Sequence, residues 1–208
     1  MQKLITLILF LFSWHVAAAT LHIKVIDAEQ KPLPYTVIEL INNQYPAVPE
    51  PAGAQVIQQD LNFQPFVSLV PQGTLVEFPN LDKTRHHVYS FSKTKAFELR
   101  LYAGKPEAPV LFDQAGVVTL GCNIHDNMLA YIYVSHSRFS VMTDANGEAH
   151  FNDIPEADFQ LAVWHPWQKQ PQLPQDISIR AGEQQKDIML NITQQALPKA
   201  PKKGFGDY

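Results

Sequence analysis

The chain has one cysteine in 208 residues, Cys122. It therefore has no C-x-x-C pair for thioredoxin-type redox chemistry and no C-x-x-C-H for covalent haem. Charged residues are also scarce, at 17% with a formal net charge of −4, so no basic surface for nucleic acid is expected. Beyond the N-terminal run, no segment approaches the roughly 18 continuous apolar residues of a membrane helix. There is no nucleophile motif, no phosphate loop and no paired-carboxylate site. Helical periodicity of useful length is almost missing too. These absences argue against an enzyme, a nucleic-acid binder and a membrane-spanning protein.

The N-terminus carries a leader pattern. Lys3 supplies a positive start, Leu4 to Trp14 is nearly all apolar, and Ala17-Ala18-Ala19 gives a small-residue cleavage site. We read residues 1–19 as a signal peptide cut near Ala19, and expect a periplasmic, soluble protein. A lone cysteine in an oxidising compartment must be buried, paired between chains, or bound to something.

The 16 prolines and 11% aromatics suit a β-rich chain with many turns. Short β-branched and aromatic runs predict strands at 21–28, 35–41, 65–80 (two, around a Pro-Gly turn), 86–92, 109–113, 116–122, 129–136, 158–166 and 176–190. Residues 95–104 continue the pattern with modest helix potential. Residues 139–155 read as a hairpin around Asp144-Ala145-Asn146-Gly147, and 42–53 as a proline-rich linker. The fold class expected is all-β, with sandwiches. The tail, 193–208, has no packing pattern and reads as disordered.

The chemistry concentrates in "GCNIHDNM", Gly121 to Met128. By itself a single Cys reads first as a buried, inert thiol. Here His125 and Met128 follow at intervals of three, and a thiolate, an imidazole and a thioether on one short loop suit copper. Zinc fits less well, because its structural sites use two or more Cys or paired Cys and His. A fourth donor must come from elsewhere, and "RHHV" upstream offers His86 or His87. Adjacent strand residues point to opposite faces, so only one of them can reach the site. Asp126 and Asn127 read as turn formers. His22, His136 and His150 read as surface residues, and His165 in "VWHPW" as part of a cluster with Trp164 and Trp167 that is either packing or an exposed patch.

"CNIHDNM" resembles the C-x-x-H-x-x-M ligand loop of amicyanin-type cupredoxins, and "RHHVYS" is similar to the strand that supplies the first histidine in pseudoazurin and its relatives. The resemblance, with "FDQAGVVTLGC" leading into the loop, covers about residues 55–135. It implies a Greek-key β-sandwich holding one type 1 copper through His86, Cys122, His125 and the axial Met128. Two positions depart from the pattern: His87 stands where relatives usually have Asn, and Gly121 where several carry an aromatic residue.

The flanks, "LHIKVIDAEQKPLPYTVIEL" and "VMTDANGEAHFNDIPEADFQLAVWHP", resemble a carboxypeptidase-regulatory-like β-sandwich. The resulting layout is that module at 20–50 and 137–192, with a cupredoxin inserted at 51–136. The combination is similar to bacterial exported proteins labelled methylamine utilisation proteins. The resemblance implies a non-enzymic one-electron carrier with a transient redox protein partner. The alternative is a copper-holding, chaperone-like or partner-binding module. A copper oxidase or nitrite reductase would need a second His cluster such as H-x-H, and the sequence has none.

Overall fold

The computed structural model describes residues 19–50, 53–106 and 108–199. The described residues are all-β, with no helix among them, so none is long and apolar enough to cross a membrane. The expected leader lies outside the described residues except for Ala19, which is buried at the head of the first strand.

One sandwich is built from both ends of the chain. It contains β1 (Ala19–Asp27), β2 (Val37–Ile41), β13 (Ser140–Met142), β14 (Glu148–Ile154), β15 (Ala157–Trp164), β16 (Gln175–Ile179) and β17 (Gly182–Leu190). Its sheets run β14-β1-β17 and β13-β2-β15-β16. Strict alternation in β1 sends Leu21, Ile23 and Val25 inward, where they meet Ile38, Leu40, Phe151, Phe159 and Leu161.

The other sandwich occupies the middle of the chain. It comprises β3 (Ala54–Gln55), β4 (Ile57–Gln59), β5 (Asn62–Gln64), β6 (Val67–Pro71), β7 (Thr74–Glu77), β8 (His86–Phe91), β9 (Ala96–Tyr102), β10 (Val110–Phe112), β11 (Gly116–Gly121) and β12 (Leu129–Ser135). A five-stranded sheet, β6-β12-β11-β8-β9, faces β10-β7-β3, and β4 pairs with β5. Phe78, Val88, Phe112, Val118, Leu120, Ala130 and Ile132 fill the space between.

The two chain crossings between the sandwiches lie side by side. Ala47 N donates to His136 O at 2.8 Å, and Arg138 N to Tyr45 O at 3.3 Å. A third apolar layer joins the sandwiches: Val37, Met142 and Trp164 meet Val67, Val117, Tyr131 and Tyr133. Within it Glu39 is buried. Its Oε1 accepts from His136 N and Ser137 N, both at 2.6 Å, and its Oε2 from the Tyr133 hydroxyl at 2.8 Å. Tyr133 is held protonated, its pKa raised by burial first and by the Glu39 carboxylate second.

Several strand expectations are revised. Residues 139–155 are not a hairpin. The Asp144 turn forms, with Gly147 N donating to Asp144 O at 3.0 Å, but β13 pairs with β2 and β14 with β1. Thr143 commits the chain to that crossing, exchanging hydrogen bonds with Thr36 and donating its hydroxyl to Leu33 O. Gly147, at φ +73°, lies so close to β1 that a Cβ would strike the Val25 carbonyl. Residues 176–190 divide into β16 and β17, in different sheets. The helix potential of 95–104 gives way to pairing with β8. In the tail, 193–199 has no regular structure, although Gln194 Nε2 donates to Pro32 O at 2.8 Å. Residues 200–208 lie outside the described residues.

Candidate metal centre

Strand parity decides which side chains can meet at one end of the five-stranded sheet. In β8 the inward series is His86, Val88 and Ser90, all buried, while His87, Tyr89 and Phe91 face out. In β11 the inward series is Val118 and Leu120, and the next inward position is Cys122, just past the strand. β8 and β11 are paired, with Tyr89 opposite Gly121, so His86 and Cys122 share the inner face.

The loop to β12 turns immediately. Met128 N donates to His125 O at 3.0 Å, returning the chain beside Cys122. Cys122 Sγ then lies 3.9 Å from His86 Nδ1 and 3.8 Å from His125 Nδ1, and the three donor atoms fall within 4.8 Å of one another. His86 and Cys122 are buried and His125 is half-buried. Met128 is buried in the same core as Cys122 and lines the same hollow.

Behind His86 stands a residue that the sequence did not single out. Nε2 of His86 donates to Asp82 Oδ2 at 2.8 Å, which fixes the tautomer and leaves the Nδ1 lone pair facing the sulfur. Asp82 also accepts from Asp60 N at 2.8 Å and Leu61 N at 3.1 Å, in the turn between β4 and β5. Burial pushes its carboxyl pKa up, but the bonds from His86, Leu61 and Asp60 outweigh that and hold it below the usual range. Burial lowers the His125 pKa, with His86 adding to the effect, so His125 favours the neutral form that can donate a lone pair. Tyr102 closes another side. Its hydroxyl donates to Phe78 O at 2.5 Å and accepts from Gln58 Nε2. Burial pushes its pKa up to about 12, offset in part by Gln58 and reinforced by the nearby Cys122.

His87 does not join the cluster. It points outward, with Nε2 3.0 Å from Glu98 Oε1. His165 is not in a surface patch but fully buried in the other sandwich. Gly121, which departs from the aromatic residue of the expected pattern, is covered by one from the neighbouring strand. A Cβ on Gly121 would lie 2.7 Å from Tyr89 Cζ, so the absent side chain makes room for that ring. Tyr89 then passes contact on to the exposed Phe91, their ring centroids 5.0 Å apart.

The donor set fits a metal ion. Separations of 3.8 and 3.9 Å are what a shared ion spans with bonds of about 2.0–2.3 Å to nitrogen and sulfur. One thiolate with two imidazoles and a neighbouring thioether selects copper over harder ions.

No family model matches the chain, and no curated protein matches it. Among solved structures it is similar to cupredoxins. A purple cupredoxin from Nitrosopumilus maritimus is 22% identical, over 39% of this chain and 99% of that one, with a TM-score of 0.36. Amicyanin from Paracoccus versutus is 15% identical over 47% and 97%, with a TM-score of 0.35. A copper-containing nitrite reductase from Thermus scotoductus is 22% identical over 54% of this chain, with a TM-score of 0.39, and this chain spans only 28% of that enzyme.

Proposed function

We propose that the chain is a periplasmic, non-enzymic one-electron carrier that holds one type 1 copper ion at His86, Cys122, His125 and Met128. The observation that carries this reading is the convergence of His86 Nδ1, Cys122 Sγ and His125 Nδ1 within 4.8 Å. Copper held there supplies one-electron chemistry by alternating between Cu(II) and Cu(I). The chain's own residues hold the geometry. His86 is fixed by the β8 ladder and by Asp82, and Cys122 by its place at the end of β11. Burial of Cys122 keeps solvent oxidants from the thiolate. His125, half-buried in its loop, presents the edge nearest solvent. Ile124 beside it is exposed and Leu129 half-buried, a rim suited to brief docking of a redox protein. The outer sandwich we read as the carboxypeptidase-regulatory-like framework that carries this unit. We place leader cleavage after Ala19, with Ala18 as the alternative, and the intact mass of the exported chain tells the two apart.

Visible spectra after adding Cu(II) test the reading. A strong thiolate-to-copper band is expected in the wild type and in His87→Ala, and none in Cys122→Ser or His86→Ala. A wild-type protein without the band overturns the proposal. If the band is present but the bound copper passes to acceptors without electron exchange, the holding role replaces the carrier role.

Asp82→Asn is expected to weaken copper binding roughly 10–100-fold, since the amide no longer enforces the His86 tautomer. Competition against a chelator measures this, and unchanged affinity would show that Asp82 does not orient the ligand.

A further inference from the structure

We propose that His22 and His150 form a second metal site, for a divalent transition-metal ion such as Zn2+ or Cu2+, on the solvent face of the β14-β1-β17 sheet. The two histidines are far apart in sequence, and the register brings them together. β1 and β14 pair antiparallel with His22 directly opposite His150. Because Leu21 and Ile23 point into the core, His22 must point out, and His150 does the same between buried Ala149 and Phe151. Their ring centroids are 4.5 Å apart, with the planes nearly perpendicular at 89°. Both side chains are accessible, at 39% and 50% exposure.

Oxygen donors flank the pair on both sides. Glu183 Oε1 lies 3.9 Å from His22 Nε2, and Glu148 Oε2 lies 3.9 Å from His150 Nε2. At that distance neither carboxylate forms a hydrogen bond with its imidazole. On β17, Gln185 is the partner of His22, and Asp187 lies two positions further along the same face. Asp187 and Glu148 both line the hollow that contains the two histidines, together with one cation, Lys24. Three carboxylates against one ammonium leave the face net negative, which favours a cation.

Unlike at His86, Cys122 and His125, no three ligand atoms of the described residues here lie within 4.8 Å of one another. The site is the cross-strand pair of imidazoles, with a flanking carboxylate turning in to complete a nitrogen–oxygen set that suits Zn2+ and Cu2+. No thiolate is present, so this site differs in kind from the buried Cys122 centre and lies in the other sandwich. An ion held here would tie the N-terminal strand to β14 and stabilise the fold by mass action.

Equilibrium dialysis against ZnCl2 alone tests the proposal on the full chain. The comparison is wild type against His150→Ala and His22→Ala, both exposed positions whose loss leaves the core intact. Each variant is expected to bind about one equivalent less Zn2+ than wild type at a free concentration of about 10 µM. That difference does not depend on whether the Cys122 centre takes an ion. The copper band at Cys122, where it occurs in wild type, is expected unchanged in both variants, so the two readings fail separately. Equal Zn2+ binding by wild type and both variants would overturn the second site, as would a difference seen only above about 1 mM.

Discussion

Replacing Glu39 with alanine is expected to cost the fold roughly 3–5 kcal/mol, because three buried donors lose their acceptor together. The His136 and Ser137 amides share Oε1, and the Tyr133 hydroxyl uses Oε2. All three donors belong to the strand that leaves the central sandwich or to the crossing that follows it, whereas Glu39 belongs to the outer one. The loss should therefore appear first where the sandwiches join. Trp164 reports on that place, its ring 5.7 Å from both Tyr131 and Tyr133. Urea unfolding followed by tryptophan emission measures the effect. A Glu39→Ala midpoint equivalent to less than about 1 kcal/mol of destabilisation would show that water replaces the carboxylate at little cost.

Glu39→Gln separates charge from shape. The amide oxygen can take both backbone N–H groups, and the Tyr133 hydroxyl can turn to accept from the amide nitrogen. Only the charge-assisted part of the hydrogen bonds is lost, so a cost of about 1 kcal/mol is expected.

The inward and outward alternation of β1, β8 and β11 was legible in the sequence because each strand carries its own periodicity. Partner choice was not. The Asp144 turn has local chemistry for a hairpin, and that chemistry forms, yet Thr143 and the close approach of Gly147 to β1 send its two strands to different sheets. β3, β4 and β5 escaped detection because "AQVIQQDLNFQ" offers short, glutamine-rich runs with little apolar alternation. They form through pairing with β7 and with one another, contacts invisible in a local window.

At the candidate centre, the spacing of Cys122, His125 and Met128 was readable because one loop carries all three. His86 against His87 was reducible to one of two by parity alone, and the structure puts His86 on the inner face. Asp82 was not readable: in "NLDKTRHH" it looks like an ordinary solvated acid, and only the β4–β5 turn brings it two backbone donors. Tyr89 covers Gly121 from a neighbouring strand, so an aromatic residue missing at one position is supplied from another. His22 and His150 each looked solitary for a related reason, since a cross-strand register joins residues that sequence spacing keeps apart.

That limit applies also to His165, which the sequence places in a tryptophan-flanked cluster and the structure buries completely. Its Nε2–H donates to Pro34 O at 3.0 Å, and its Nδ1 accepts from Trp167 N at 3.1 Å. Both nitrogens are satisfied only in the neutral ring. Charging it would put a proton where the Trp167 amide already points, in a fully buried place. Burial accordingly pushes its pKa down from 6.5 to about 4, against a smaller opposing effect of Pro34. Below pH 6.5 the unfolded chain takes up a proton that the folded chain refuses until about pH 4. Stability from this group is thus fully present above pH 6.5 and falls as the pH drops through that window, by about 3 kcal/mol in all. The depressed carboxyl groups of Asp82, Asp113, Asp144 and Asp158 act at lower pH, beneath their ordinary value of 3.8. His125 shifts in the same direction as His165, but it is common to wild type and variant and cancels in the comparison. Urea midpoints of wild type and His165→Gln at about pH 7.5 and pH 4.5 isolate the buried ring. The variant is expected to start less stable by about 1–3 kcal/mol and to lose about 2–3 kcal/mol less on acidification. Equal acid losses in the two proteins would mean that the folded chain accommodates a charged His165.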